Sequence, residues 1–264
     1  MTGLTFHPGV AVGLAISALI ALTAPLILAF LVHRRTGVSF KYFGLGAAVF
    51  LVAQIVLRFP WQIPLGLMVQ KSASGALRNA FLVFSALTAS LFEEVGRWLG
   101  YRWFIKRERS WRVGVMYGLG HGGIESILLV GLSIGGSLVL YILLARGVSF
   151  PIPPDRLEII RRQFETLTPW NSLLGGIERL FAICLQISFS LLVLQAFLRN
   201  QLRWLGYALA FHFILDFAAI AAAKRAGPVF AEIVAGVFAA LALVLIFRLR
   251  GVEDRHPPAL PPSA

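Results

Sequence analysis

Apolar stretches of about twenty residues recur along the whole chain, and they leave few folds open to it. A helix of about 20 apolar residues crosses the hydrocarbon core of a bilayer. Hydrophobic residues make up 58% of the sequence, against roughly 45–50% in soluble domains. Within lipid, a helix satisfies all of its backbone hydrogen bonds inside one segment. The sequence therefore predicts an all-α fold, a polytopic bundle of transmembrane helices.

We predict about seven spans, and one long apolar run leaves an eighth possible. The spans are at about residues 10–32, 39–59, 79–101, 113–145, 173–198, 204–223 and 228–247. The run from Val113 to Ala145 is too long for one upright helix and short for two. We favour a single tilted or kinked helix, with Gly131, Gly135 and Gly136 as the bend. Two spans there would move the arginines that follow the later helices to the outside.

The basic residues indicate how the bundle is oriented. Cytoplasmic loops carry an excess of lysine and arginine. With seven spans and an outer N-terminus, thirteen of the 24 basic residues fall on the inner side, mostly in short clusters. We expect an integral protein of the bacterial plasma membrane with a cytoplasmic C-terminus. Because the basic residues cluster between spans, the net charge of +12 reflects topology, and we expect no nucleic-acid partner.

The chain is expected to form one domain with a tail. Residues 1–250 make up the transmembrane domain, and the proline-rich residues 251–264 are expected to be disordered. One loop contains an amphipathic pattern, with Leu157, Ile160 and Phe164 on one helical face. We expect an interfacial helix there, which either connects two spans or covers the bundle as a lid.

Ionisable residues inside the spans point to a functional site. Six of the twelve acidic residues and two of the five histidines lie within apolar stretches. Each costs about 2.5–3.5 kcal/mol at a helix centre, so such groups are partnered and functional by default. The alternative is a set of buried ion pairs that hold the bundle together. Helical spacing places Glu93 and Glu94 within one turn of Arg97, and His212 one turn from Asp216.

Three of these residues are predicted to lie at one depth in the membrane. Glu93, His121 and His212 are each eight residues from the inner end of their predicted span, which corresponds to about 12 Å. A glutamate that takes a proton from water, beside histidines that stabilise an oxyanion, suits hydrolysis. A proton-coupled transporter and a non-catalytic membrane partner protein are the alternatives. The halves of the chain lack an inverted repeat of hydropathy, which argues against a transporter.

Four ordered motifs resemble a known family. They read "FEEVGRW", "GHGGIES", "GGIER" and "HFILD", and they look like those of the YhfC-type membrane peptidases. These are distant relatives of the CAAX-processing and bacteriocin-processing intramembrane proteases, whose motifs are E-E-x-x-x-R, F-x-x-x-H and H-x-x-x-N/D. Here Arg97 comes one residue early and Tyr117 replaces the phenylalanine. The resemblance implies an intramembrane endopeptidase that acts on a membrane-embedded or lipidated protein.

The resemblance also implies a set of site residues. The catalytic set is Glu93, Glu94, His121, His212 and Asp216, and the supporting residues are Arg97, Tyr117 and Glu125. Glu93 would activate water, and the histidines would orient that water or stabilise the oxyanion. Tyr117 and Glu125 belong to the set because they share a helical row with His121.

A metal ion is the alternative to a metal-free centre. His121, His212 and Glu93 at one depth offer ligands for zinc with an open position for water. Arg97 lies within one turn of both glutamates, and its charge opposes a cation there. We therefore expect a glutamate-activated water and no cofactor, with zinc as the alternative.

Overall fold

The computed structural model describes residues 5–253, and within this part of the chain it contains helices and no strand. Seven helices are long and apolar enough to cross a membrane, which confirms the predicted fold class and span number. The helices are α1 Pro8–Thr36, α2 Lys41–Gln70, α3 Gly75–Trp103, α4 Trp111–Ala145, α5 Pro154–Glu165, α6 Asn171–Leu198, α7 Arg203–Ala226 and α8 Pro228–Glu253. Most of the predicted tail lies outside the described residues.

The long apolar run forms one helix, α4, as favoured from the charges. It has 35 residues, which at about 1.5 Å each exceeds the thickness of the bilayer. Residues Ser126–Gly131 form π-helical turns that interrupt the α-helical hydrogen bonding. The irregularity therefore coincides with Gly131, whereas Gly135 and Gly136 lie in regular helix beyond it.

Helix α2 is longer than predicted. The sequence suggested an end at residue 59, before Pro60, but the helix continues to Gln70. Residues Leu51–Arg58 form π-helical turns, and Pro60 stands in the first turn of the α-helical segment that follows. Arg58, near the end of the predicted span 39–59, is only 7% exposed and lies inside the bundle.

Helix α6 lies at the centre of the bundle. It packs against α1, α4, α7 and α8. Of its most apolar window 72% is buried, compared with 17–33% for the other spans. Buried polar residues such as Ser188, Ser190 and Gln195 are therefore surrounded by other helices. This enclosure allows α6 to carry polar groups that lipid would not tolerate.

Glycines next to His121 let α4 approach two neighbouring helices. A Cβ at Gly118 would lie 2.7 Å from Cα of Ile187 on α6. A Cβ at Gly120 would collide with the backbone of Phe43 on α2. The absence of side chains thus brings α2 and α6 against α4 at the level of His121.

The amphipathic helix α5 covers one end of the bundle. Leu157, Ile160 and Phe164 pack on a cluster formed by the start of α1 and the end of α4. The ring of Phe164 lies 5.2 Å from that of Tyr141. No residue of α5 lines the charged cavity described below, so the helix does not cover that cavity.

Candidate active site

Two glutamates and one arginine on α3 form the charged centre of the bundle. Glu93 is 6% exposed, and Glu94 and Arg97 are fully buried. Nη2 of Arg97 lies 3.3 Å from Oε2 of Glu93, and its Nη1 donates to Oε1 of Glu94. The spacing of three and four residues places all three side chains on one helical face. Arg97 thus orients both carboxylates and balances one of their two charges.

His121 on α4 contacts the first of these carboxylates. Its Nε2 lies 3.1 Å from Oε2 of Glu93, and its ring packs edge-on against Phe50. A carboxylate accepts hydrogen bonds, so Nε2 of His121 carries the proton in this contact. Nδ1 is buried and has no hydrogen-bond partner among the described residues.

His212 on α7 contacts the second carboxylate. Its Nδ1 lies 2.8 Å from Oε1 of Glu94, and its Nε2 lies 3.6 Å from Oδ2 of Asp216. The ring stacks on Phe189 of α6 with a centroid distance of 4.5 Å. The structure therefore brings together all five predicted catalytic residues, with one histidine on each glutamate.

Two glutamines complete the environment of Glu93. Nε2 of Gln54 on α2 donates to Oε1 of Glu93 at 2.7 Å. Nε2 of Gln186 on α6 donates to Oε2 at 3.2 Å, and its Oε1 accepts from Arg97. We did not predict either glutamine, because neither has a charge. The available signal was an amide within an otherwise apolar stretch, at "LVAQIV" and "CLQIS".

A second charged cluster connects to the first through Gln186. Nη1 of Arg179 lies 3.2 Å from Oε1 of Glu125, and Nη2 donates to Glu178. Gln186 donates to Oε2 of Glu125 at 2.7 Å. Glu178 and Arg179 are about 20 residues from the inner end of the predicted span 173–198, far from the predicted centre, and this distance predicts a structural role for them. Both nevertheless line the same cavity as Glu93.

The cavity has a volume of about 300 Å³ and a mixed lining. Glu93, His212 and Asp216 face it, whereas Glu94 and His121 stand behind them and do not line it. Tyr117 lies further away, where its hydroxyl donates to the backbone carbonyl of Arg97 at 3.3 Å. The remaining lining is largely apolar and includes Phe50, Phe59, Leu129, Leu185 and Phe189.

Three of the site residues have the arrangement of metal ligands. Glu93, Glu94 and His212 each offer one ligand atom within 4.8 Å of the others. Oε2 of Glu94 is buried and has no hydrogen-bond partner in the described part of the chain. The zinc set predicted from the sequence contained His121 in place of Glu94. The side chains present therefore fit a divalent cation, and the preference for a metal-free centre finds no support here.

The net charge of the groups that line the cavity is also compatible with a bound cation. Its lining has four carboxylates and two guanidinium groups, namely Glu93, Glu125, Glu178, Asp216, Arg58 and Arg179. The pair Glu94 and Arg97 behind the lining is neutral in sum. Uncompensated charge is costly at low dielectric. A divalent cation would balance the excess of two negative charges when all these groups are ionised.

Comparison with known proteins places the chain among membrane proteins of one family. The model of a family described as YhfC intramembrane metalloprotease matches residues 18–247. The uncharacterized membrane protein YhfC of Bacillus subtilis (strain 168) is 33% identical over 251 residues, which cover 90% of this chain and 96% of that protein. No solved structure matches the chain.

Proposed function

The chain belongs to the YhfC intramembrane metalloprotease family, and from this premise we propose that it is an endopeptidase acting within or beside a membrane segment. The observation that carries the proposal is the buried cavity onto which Glu93, His212 and Asp216 converge from two helices. Peptide hydrolysis needs a proton acceptor for water and positive groups for the developing oxyanion. Glu93 and Asp216 offer carboxylates that can accept the proton, and the guanidinium groups of Arg58 and Arg179 also line the cavity.

A divalent metal ion is part of the proposed centre, held by Glu93, Glu94 and His212. When bound, such an ion makes a coordinated water more acidic and polarises the scissile carbonyl. Arg97, which argued against a cation, donates to one oxygen of each glutamate. This leaves Oε2 of Glu94 without a donor, so at Glu94 the arginine and a cation do not compete for the same atom.

Asp216 is the proposed proton acceptor. Its side chain is 29% exposed and lines the cavity. Its one polar contact within the described residues is Nε2 of His212 at 3.6 Å. An oxygen of this carboxylate is therefore free to take a proton from water and to return it to the leaving amine. The four donors on Glu93, by contrast, hold that side chain in place; they come from Gln54, Arg97, His121 and Gln186.

The histidines have different parts in this proposal. His121 donates from Nε2 to Glu93 from behind the cavity, so it orients the carboxylate and does not touch the substrate. His212 donates from Nδ1 to Glu94, which leaves its Nε2 available on the side of the cavity. The apolar part of the lining suits an unfolded stretch of a membrane-embedded or lipidated protein as substrate.

Cleavage of membrane-segment peptides tests the proposed function. The purified protein, in lipid nanodiscs, would be incubated with a library of such peptides, and the products identified by mass spectrometry. We expect defined cleavage products from the wild type and none from Glu93→Gln or Asp216→Asn. Cleavage that is equal in all three proteins would come from a contaminating protease. Absence of cleavage, together with peptide or proton transport, would favour a carrier instead.

A further inference from the structure

We propose that a second site, formed where the loop after α3 meets the first turn of α2, binds the headgroup of an anionic phospholipid. A cavity of about 500 Å³ lies at this position. We call it the loop site. The lining residues that matter for lipid binding are Lys41, Trp103, Phe104, Lys106, Arg107 and Glu108. It is separate from the charged cavity, with which it shares no lining residue.

The loop site lies at the depth of lipid headgroups. Helix α3 has 29 residues, a length of about 43 Å, whereas the hydrocarbon core is about 30 Å thick. Its last residue, Trp103, is 56% exposed, and the following Phe104 is 67% exposed. Aromatic rings favour the boundary between lipid and water. The two rings therefore provide apolar contact for the glycerol and upper acyl region of a lipid.

Two cations beside these rings lack a partner. Glu108 accepts hydrogen bonds from Lys41, at 3.0 Å, and from the hydroxyl of Tyr42. The bond from Tyr42, and then that from Lys41, lowers the pKa of Glu108 below its ordinary value, so the acid stays ionised and balances Lys41. Lys106 and Arg107 form no ion pair or hydrogen bond with any residue in the described range. The loop site thus carries two unbalanced positive charges.

The backbone of the loop is held in a fixed conformation. Ile105 is 1% exposed and belongs to the main core. Nε of Arg109 donates to the carbonyl of Ile105 at 2.9 Å, and its guanidinium lies 4.2 Å from the ring of Phe197. Lys106 and Arg107 therefore follow a buried anchor, which fixes where their side chains begin.

These features together fit an anionic lipid better than a soluble anion. Basic pockets next to transmembrane helices bind phospholipid headgroups, and a guanidinium can bind two phosphate oxygens at once. A free phosphate would use Lys106 and Arg107 but would have no need of the exposed rings of Trp103 and Phe104. The rings can contact the glycerol and upper acyl region of one lipid molecule while the neighbouring basic side chains bind its phosphate.

Native mass spectrometry of the full-length protein in detergent tests this site. The probes are phosphatidylglycerol and phosphatidylcholine with identical acyl chains, titrated separately. We expect the wild type to bind phosphatidylglycerol more tightly, and the double variant Lys106→Ala/Arg107→Ala to bind it about thirty-fold more weakly, from about five-fold for each basic residue. The matched control Arg34→Ala/Arg35→Ala removes the same charge from exposed residues at the nearby end of α1. It should keep wild-type affinity.

Three results would overturn the proposal. Equal affinity of the wild type for both lipids, or an equal loss in the control, would reduce the effect to general surface charge and overturn the proposal. Inorganic phosphate that displaces the lipid at similar concentration would also overturn it, since the rings would then contribute nothing. Trp103→Ala should weaken the binding of both lipids. Size-exclusion chromatography checks folding, and the readout is independent of proteolysis.

Discussion

Nδ1 of His212 lies 2.8 Å from Oε1 of Glu94, although 118 residues separate the two in the chain. This contact fixes the imidazole with its proton on Nδ1 and leaves Nε2 on the side of Asp216. A residue that does not line the cavity therefore sets the chemistry of one that does. The same relation holds between His121 and Glu93 with the roles exchanged, because there the histidine is behind and the carboxylate faces the cavity.

Replacing either histidine should abolish turnover and preserve the fold. In His212→Ala and His121→Ala, Arg97 still donates to both glutamates, so each buried carboxylate keeps a charged hydrogen-bond donor. We expect peptide cleavage to fall at least about hundred-fold, the lower range for losing an acid–base or oxyanion group. His33→Ala, at the end of α1, is the matched control. Unfolding of the variants in a detergent melt, without a selective loss of activity, would indicate ion pairs that only hold the bundle together.

The proposed metal centre predicts one divalent ion per chain. Glu94→Gln removes the carboxylate oxygen that has no donor, so the purified variant should lose the ion and its activity. Glu178→Gln, a partly exposed acid that lines the cavity outside the ligand cluster, should retain both. Elemental analysis before and after chelation measures this. If the wild-type protein is active without bound metal, the metal centre is wrong and a glutamate-activated water is favoured instead.

Gln186 should matter for catalysis more than its lack of charge suggests. Gln186→Leu removes the donor that joins Glu93 to Glu125 and the acceptor for Arg97. We expect a stability loss of about 1–3 kcal/mol from the unsatisfied groups and a lower kcat. Gln195→Leu is the control on the same helix, since Gln195 is buried and accepts from Arg199. If Gln186→Leu and Gln195→Leu lower kcat equally, the connection that Gln186 makes between Glu93 and Glu125 has no specific role in catalysis.

Gly120 and Gly135 are predicted to respond in opposite ways to alanine. The new methyl group at Gly120 would meet the backbone of Phe43, which cannot rotate away. Overpacking of this kind costs about 1–3 kcal/mol. Nothing lies within 4 Å of a Cβ at Gly135, so alanine there should stabilise the helix by up to about 1 kcal/mol. Thermal unfolding in detergent compares the two, and similar melting temperatures would contradict the tight contact between α2 and α4.

The predicted orientation is tested with single cysteines in a Cys184→Ser background. Ser39 is one position, and Gln201 is preferable to Asn200, whose φ of 49° a new side chain would strain. Both positions should be protected from a membrane-impermeant thiol reagent added outside intact cells. Labelling of a cysteine at position 201 from outside would show that the bundle has the opposite orientation.

The sequence was sufficient to predict the charged residues at the centre of the site. Charged groups in lipid are costly, and the helical period places Glu93 and Glu94 on the face of Arg97. Counting from the span ends then predicted that His121 and His212 lie at the level of Glu93, and the structure has them in contact with this pair.

What the sequence did not reveal depends on contacts between helices. Gln54 and Gln186 resemble ordinary polar substitutions until their neighbours are known. The second span was predicted to end at residue 59, but the helix continues through π-helical turns and past Pro60 to Gln70. Arg179 was judged by its depth alone, although the cavity extends along α6 to reach it.

The enclosure of α6 has a consequence for biosynthesis. The ribosome delivers α6 before α7 and α8, two of the helices that surround it. Until they arrive, the sides of α6 that pack on α7 and α8 have no protein neighbour, whereas Arg179 and Gln186 already have their partners on α3, α4 and α6. His212 reaches Glu94 only when α7 has been inserted. A chain stalled before α7 therefore lacks His212 and Asp216, so the proposed hydrolytic centre cannot form before synthesis of the protein is nearly complete.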